Sequence, residues 1–158
     1  MVNREKVDEL LKNIRGKVLN EMVIVEVDLT GILDDFFFRE KNNEKSVIFY
    51  WEILNPMRLS DKIDLFKKIR SFKKWKNYRE ILNSLISVNK FRNRLAHGLA
   101  SYNKCREIKL VIYDPITLKE VIIDKKMLEN FDKAIYYIHR YMCKNCDVEE
   151  PSLKDILK

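Results

Sequence analysis

Between Arg92 and His97 the chain places a guanidinium, an amide and an imidazole within six residues, in the stretch Lys90-Phe91-Arg92-Asn93-Arg94-Leu95-Ala96-His97-Gly98. His97 is one of only two histidines. On a helix Asn93 and His97 are i,i+4 neighbours on one face, so the Asn93 amide could fix the His97 tautomer. Arg92 and His97 stand five residues apart, roughly 140° around the helix axis. The long arginine stem spans that angle, so both groups could address one phosphate. An imidazole that titrates near neutrality suits proton transfer, and a guanidinium fork suits bidentate phosphate binding. Together they are the minimum kit for cleaving RNA without a metal. The plainer reading is that Arg92 and Arg94 are solvated and His97 caps a helix before Gly98. An arbitrary Arg-x4-His arises often by chance; here Asn follows the Arg and Gly follows the His.

The elements leading into this stretch are basic. Residues 67–94 carry ten Lys and Arg against a single acid, Glu80, whereas residues 1–66 carry ten against thirteen. The net charge of +7 therefore has its source in the segment before the motif. Clustered cations are the footprint of polyanion binding, because neutralised phosphates release counterions. Phe72, Trp75, Tyr78 and Phe91 interleave with them. They could stack bases, although at this spacing aromatic residues more often belong to a core.

The 158 residues are enough for one domain with a sizeable core, expected over residues 1–146 with a tail at 147–158. Three Gly and three Pro argue against an all-β sandwich, whose turns need them. Val7, Leu10, Leu11 and Ile14 predict a helix over 3–17, loosened by Gly16. Val23-Ile24-Val25-Glu26-Val27 has strand propensity. The spacing of Met22, Val25, Leu29, Ile32 and Phe36 nevertheless predicts a second helix over 19–38. Glu21, Asp28 and Asp35 recur every seven residues on another face, either as a solvated acidic face or as partners for Arg92 or Arg94. Residues 47–54 are apolar enough for a buried helix ended by Asn55-Pro56. Ser60 is the expected N-cap of a helix over 61–72, with Asp61 and Asp64 first and Lys67, Lys68 and Arg70 last, as the dipole prefers. The motif helix should run from Trp75 or Lys76 to His97, with Ile81, Leu82, Leu85 and Ile86 inward. Positive charge at its C-terminal end favours a protonated His97. Residues 107–123 predict a β-hairpin around Asp114-Pro115, and Asp124 a cap for a last helix over 125–146 that buries Leu128, Phe131, Ile135, Ile138 and Met142.

No run approaches the roughly 20 apolar residues of a membrane span. The opening Met-Val-Asn-Arg-Glu-Lys lacks a signal-peptide pattern. Three cysteines, an odd number, fit a reducing compartment, so a cytoplasmic protein without disulfides is expected. His139, Cys143 and Cys146 fall at i, i+4 and i+7, and Cys105 could complete a tetrahedral zinc set. Structural Cys-x-x-Cys pairs usually recur twice, however, and buried cysteines behave as small apolar residues. No metal and no cofactor is expected.

Arg92-Asn93-Arg94-Leu95-Ala96-His97 resembles the Arg-x4-6-His signature of HEPN domains, in which a polar residue, often Asn, follows the Arg. Together with Ile32-Leu33-Asp34-Asp35-Phe36-Phe37 and Leu59-Ser60-Asp61-Lys62-Ile63-Asp64-Leu65-Phe66, the layout over about residues 20–100 is similar to the branch that includes mannitol operon repressor proteins. The resemblance implies a mainly α, HEPN-like helical bundle, here with a small β-hairpin inserted before the last helix. It implies a homodimer whose two motif helices build a shared cleft. In catalytic members the His and Arg act without metal on the 2′-hydroxyl and scissile phosphate of RNA. Carried over, His97 is the general acid/base, Arg92 binds the phosphate and Asn93 orients His97 or the substrate. Arg94, Lys73, Lys74 and Lys76 are expected along the RNA backbone. A toxin or defence effector with an antitoxin or regulatory protein partner is one setting. Toxins of this type carry Arg-x4-His-x-Tyr, whereas Gly98-Leu99 follow His97 here, so that tyrosine is absent. The other expectation is a non-catalytic regulator that binds protein or nucleic acid.

Overall fold

The computed structural model describes residues 4–38, 44–97, 100–101, 110–113 and 119–145, and the side chains of 8–38, 44–96 and 119–142. The expected Asp-Pro turn, the tail at 147–158, and the side chains of His97 and the three cysteines lie outside them.

Helix α1 (Arg4–Phe37) has 34 residues and spans about 50 Å at 1.5 Å per residue. Two helices are expected here, and one forms. Leu11, Val18, Met22, Val25, Leu29 and Ile32 are buried at intervals of three, four and seven, so one apolar face runs through Gly16. A glycine in a helix costs up to about 1 kcal/mol, which this continuous face offsets. The β-branched run stays helical for the same reason. Val25 is fully buried while Val23, Ile24 and Val27 face outward.

Helix α2 (Glu44–Ile48) widens into a π-helical segment, Phe49–Leu54. The Asn55 N–H donates to the Tyr50 carbonyl five residues back, at 2.8 Å. The expected buried helix is thus helical but largely exposed: Leu54 is buried, and Val47, Ile48, Trp51 and Ile53 are not. An apolar run without a three-four stripe has no single face to bury.

Helix α3 (Leu59–Lys68) starts earlier than the sequence suggests. Its N-cap is Arg58, whose extended backbone leads into a carbonyl that accepts from the N–H groups of Asp61 and Lys62. Ser60 lies within the first turn, its hydroxyl donating to Asp61 Oδ1 at 3.4 Å. The helix also stops before Phe72. Ile69 turns extended, and a 3-10 turn (Phe72–Lys74) follows, so that Ile69 and Phe72 are both buried.

Helix α4 (Tyr78–His97) carries the motif and buries Ile81, Leu85, Val88, Phe91 and Leu95; Ile86, expected inward, is exposed. Strands β1 (Ala100–Ser101), β2 (Leu110–Tyr113) and β3 (Glu120–Ile123) form an antiparallel sheet in that order, with Val111 opposite Ile122. The expected hairpin therefore has a third, short strand. Asp124 Oδ1 accepts the Met127 N–H at 2.7 Å, capping helix α5 (Lys125–Asn145) as expected. Phe131, Ile135, Ile138 and Met142 are buried along α5.

The protein is thus a mainly α helical bundle. Phe91 and Phe131 rings meet at 5.2 Å where α4 packs on α5. Lys17 pairs with Asp132 and Asp28 with His139, so α1 and α5 run in the same direction. Arg15, early in α1, donates to the Leu95 carbonyl at 3.1 Å near the end of α4, so those two helices run in opposite directions. Among the described residues, no helix is long and apolar enough to cross a membrane.

Candidate functional site

Val88, Phe91 and Leu95 pin α4 to the core. Their neighbours Asn89, Arg92 and Asn93, spaced i, i+3 and i+4, are thereby turned to the edge of the core as one stripe. This stripe lines a cleft of about 650 Å³ between α1, the start of α3 and α4. Arg58 and Ser60 face it from α3 and Glu26 from α1; Leu19, Met22, Val23 and Leu59 supply its apolar wall. Arg92 also lines a smaller cavity of about 220 Å³ beside Arg15, Val18 and Leu95.

Arg92 and Asn93 are both half-buried, and Arg92 Nη1 donates to Asn93 Oδ1 at 2.9 Å. The Asn93 oxygen is therefore used to hold the guanidinium. Its NH2 group is the part that can donate to an anion or to His97. His97 is the last residue of α4, one turn beyond Asn93. Its expected contacts with Arg92 and Asn93 involve a side chain outside the described residues.

Among the described residues the cleft holds one acid, Glu26, and it comes already paired. Lys62 Nζ lies 2.8 Å from Glu26 Oε1 and also donates to the Asn55 carbonyl at 3.5 Å. The Lys62 side chain is only 1% exposed. A buried ammonium costs several kcal/mol unless paired, so Glu26 is committed to it.

The other expected site residues lie elsewhere. Lys73, Lys74 and Lys76 are exposed around the 3-10 turn that precedes α4. Arg92 lies fourteen residues beyond the first residue of α4, which is about 21 Å along the axis. These lysines thus precede the helix whose far end carries the motif. Arg94 is half-buried, roughly 200° around α4 from Arg92. The interleaved aromatics belong to the core. Phe66 stacks on Phe72 at 4.8 Å and on Tyr78 at 5.6 Å, with Trp75 at 5.8 Å from Phe66.

The second histidine, His139, is held by acids of α1. His139 Nδ1 lies 2.9 Å from Asp28 Oδ2, and its Nε2 lies 4.0 Å from Glu21 Oε2. The hydrogen bond to Asp28 is the main cause of a raised His139 pKa. Burial opposes that rise, and the negative charges of Asp28 and Glu21 reinforce it. Two of the three acids spaced by seven thus clasp an imidazole. Among the described residues, no group of three or more His, Cys, Asp or Glu side chains is arranged to hold a metal ion.

Comparison with family models, with curated proteins and with solved structures finds no match to this chain. The site must therefore be read from its own chemistry. Sequence reasoning missed Asn89, although its place three residues before Arg92 on a helix could have found it. It also missed Arg58, Ser60 and the Glu26–Lys62 pair, which no local spacing links to the motif.

Proposed function

We propose that this protein is a metal-independent endoribonuclease of the HEPN type, acting as a cytoplasmic homodimer. The observation that carries this reading is that Arg92, Asn93 and a second arginine, Arg58, line one open cleft. A phosphodiester entering there meets a guanidinium fork five residues before His97 on the same helix. In the reaction, the substrate 2′-oxygen attacks phosphorus, the bond to the 5′-oxygen breaks, and a proton passes from the 2′-hydroxyl to the leaving oxygen through an acid/base group. His97 fills that role and Arg92 stabilises the charge on the phosphate. Ile24 and Val27, exposed on α1 and not part of the cleft lining, support a second copy seated beside the cleft.

The test is incubation of purified protein with labelled RNA in EDTA. Wild type should cleave. His97→Ala, with unchanged circular dichroism, should lose about 10²–10⁴-fold in rate, and Arg92→Ala a comparable amount. A wild-type protein that leaves RNA intact overturns the reading. One observation favours the alternative of a non-catalytic regulator: Arg92 and Asn93 bond to each other, as members of a structural network would. In that case RNA or a protein partner is retained without being cut.

A further inference from the structure

We infer that the cleft contains a second phosphate position, built from Arg58 and the start of α3, which holds the phosphate next to the scissile one in a bound RNA strand. The inference rests on the ribonuclease reading for its ligand, but it concerns binding and not cleavage.

Size is the first argument. About 650 Å³ falls within the range of roughly 300–1,000 Å³ typical of sites for whole small molecules. A single phosphate at Arg92 would leave most of the cleft unused.

Charge is the second. Among the described residues the lining contains two arginines, Arg58 beside the start of α3 and Arg92 on α4, and one acid, Glu26. Glu26 is neutralised by Lys62 at 2.8 Å, an ammonium almost wholly sealed from water. The two guanidiniums therefore set the sign of the cleft, and both address whatever enters. Among the described residues no carboxylate pairs with either arginine. Had Lys62 been apolar, Glu26 would cancel half of this charge and repel a phosphodiester.

Donor geometry is the third. Asn89, Asn93 and Ser60 add neutral donors around the same space. Arg58 is the N-cap of the ten-residue α3, and no side chain caps that helix. Its first two residues, Leu59 and Ser60, line the cleft beside Arg58, so the start of α3 borders the same space. Leu19, Met22 and Val23 add an apolar wall on which a sugar or base can rest.

The experiment measures binding of the full chain to a fluorescent 2′-O-methyl hexaribonucleotide, which has no free 2′-hydroxyl to attack, by anisotropy over a salt series. Arg58→Ala should weaken binding about tenfold and reduce the log–log salt slope by about 0.7, the share of one phosphate contact on a single strand. Arg58→Lys, which keeps the charge without the fork, should fall between the two. Lys133→Ala, at an exposed cation on α5 that is not among the cleft-lining residues, should change affinity less than twofold. Absence of wild-type binding, Arg58→Ala within twofold of wild type, or equal losses in Arg58→Ala and Lys133→Ala would overturn the inference. Inorganic phosphate and adenosine monophosphate are added as competitors. If millimolar phosphate alone displaces the probe in an Arg58-dependent way, the position serves a free anion and the strand assignment fails. Cleavage with Arg58-independent binding removes only the second position. Arg58-dependent binding without cleavage removes only the nuclease.

Discussion

Arg92 can grip a phosphate only while its charge is uncancelled, and the group closest to it is the Asn93 oxygen at 2.9 Å. Asparagine is neutral, so it orients the guanidinium without neutralising it. Replacing that oxygen by a carboxylate keeps the shape and reverses the effect. Asn93→Asp should leave stability near wild type yet weaken RNA binding more than Asn93→Ala does. The expected loss is about tenfold, with the salt slope reduced by about 0.7, read by anisotropy against sodium chloride. Equal affinity in the two variants would mean that the Arg92 charge is not what meets RNA. Lys62 shows the same logic in another place: a buried cation is tolerated because Glu26 answers it.

Between elements, the seam of α1 and α5 carries a titratable clasp. His139 is pinned by Asp28 and flanked by Glu21, and its pKa is raised above 6.5. The folded state therefore binds a proton more tightly than the unfolded chain does. The stabilisation is complete below about 6.5, the ordinary histidine value, and is lost as pH rises through the raised folded value. Thermal melts should accordingly show a higher midpoint at pH 6 than at pH 8.5. Asp28→Asn should remove most of that difference while costing stability mainly on the acid side. The exposed Lys17–Asp132 pair on the same seam has no such leverage, because surface ion pairs are worth about 0–1 kcal/mol. A flat pH profile in wild type would refute the clasp.

At the scale of the whole molecule, four long helices share one core, and α1 touches each of the others. The face of α1 that carries Ile24 and Val27, outside the cleft lining, is exposed, at 48% and 58%. If two copies join along this face, as the proposed function requires, Val27→Glu places a charge in an apolar contact at a cost of a few kcal/mol. The variant should sediment as a monomer at concentrations where wild type is a dimer, with its circular dichroism unchanged. A wild-type monomer, or a Val27→Glu dimer, would remove this face from the assembly.

Much of the architecture was legible because helices announce themselves by period. The three-four spacing of Met22, Val25, Leu29 and Ile32, and of Phe131, Ile135, Ile138 and Met142, marks faces that the fold buries, whereas Phe36, expected on the first stripe, is exposed and Leu128, expected on the second, is half-buried. Asp124 declared its cap in the same local way. Boundaries failed where a local signal met a tertiary one. Gly16 lost to a continuous apolar face, Ser60 lost to Arg58 as the cap, and Phe72 was drawn out of α3 to be buried with Ile69. The motif was readable because Arg92 and Asn93 are neighbours on one helix. The cleft was not, since it joins Glu26, Arg58 and Arg92 from three separate helical segments. The His139–Asp28 contact spans 111 residues of chain. The sequence by itself determined which segments become helices and where cations gather, since both depend on near neighbours. Only the tertiary structure decided which charges cancel and which remain free to meet a ligand, because those pairings depend on distances in space that residue spacing does not encode.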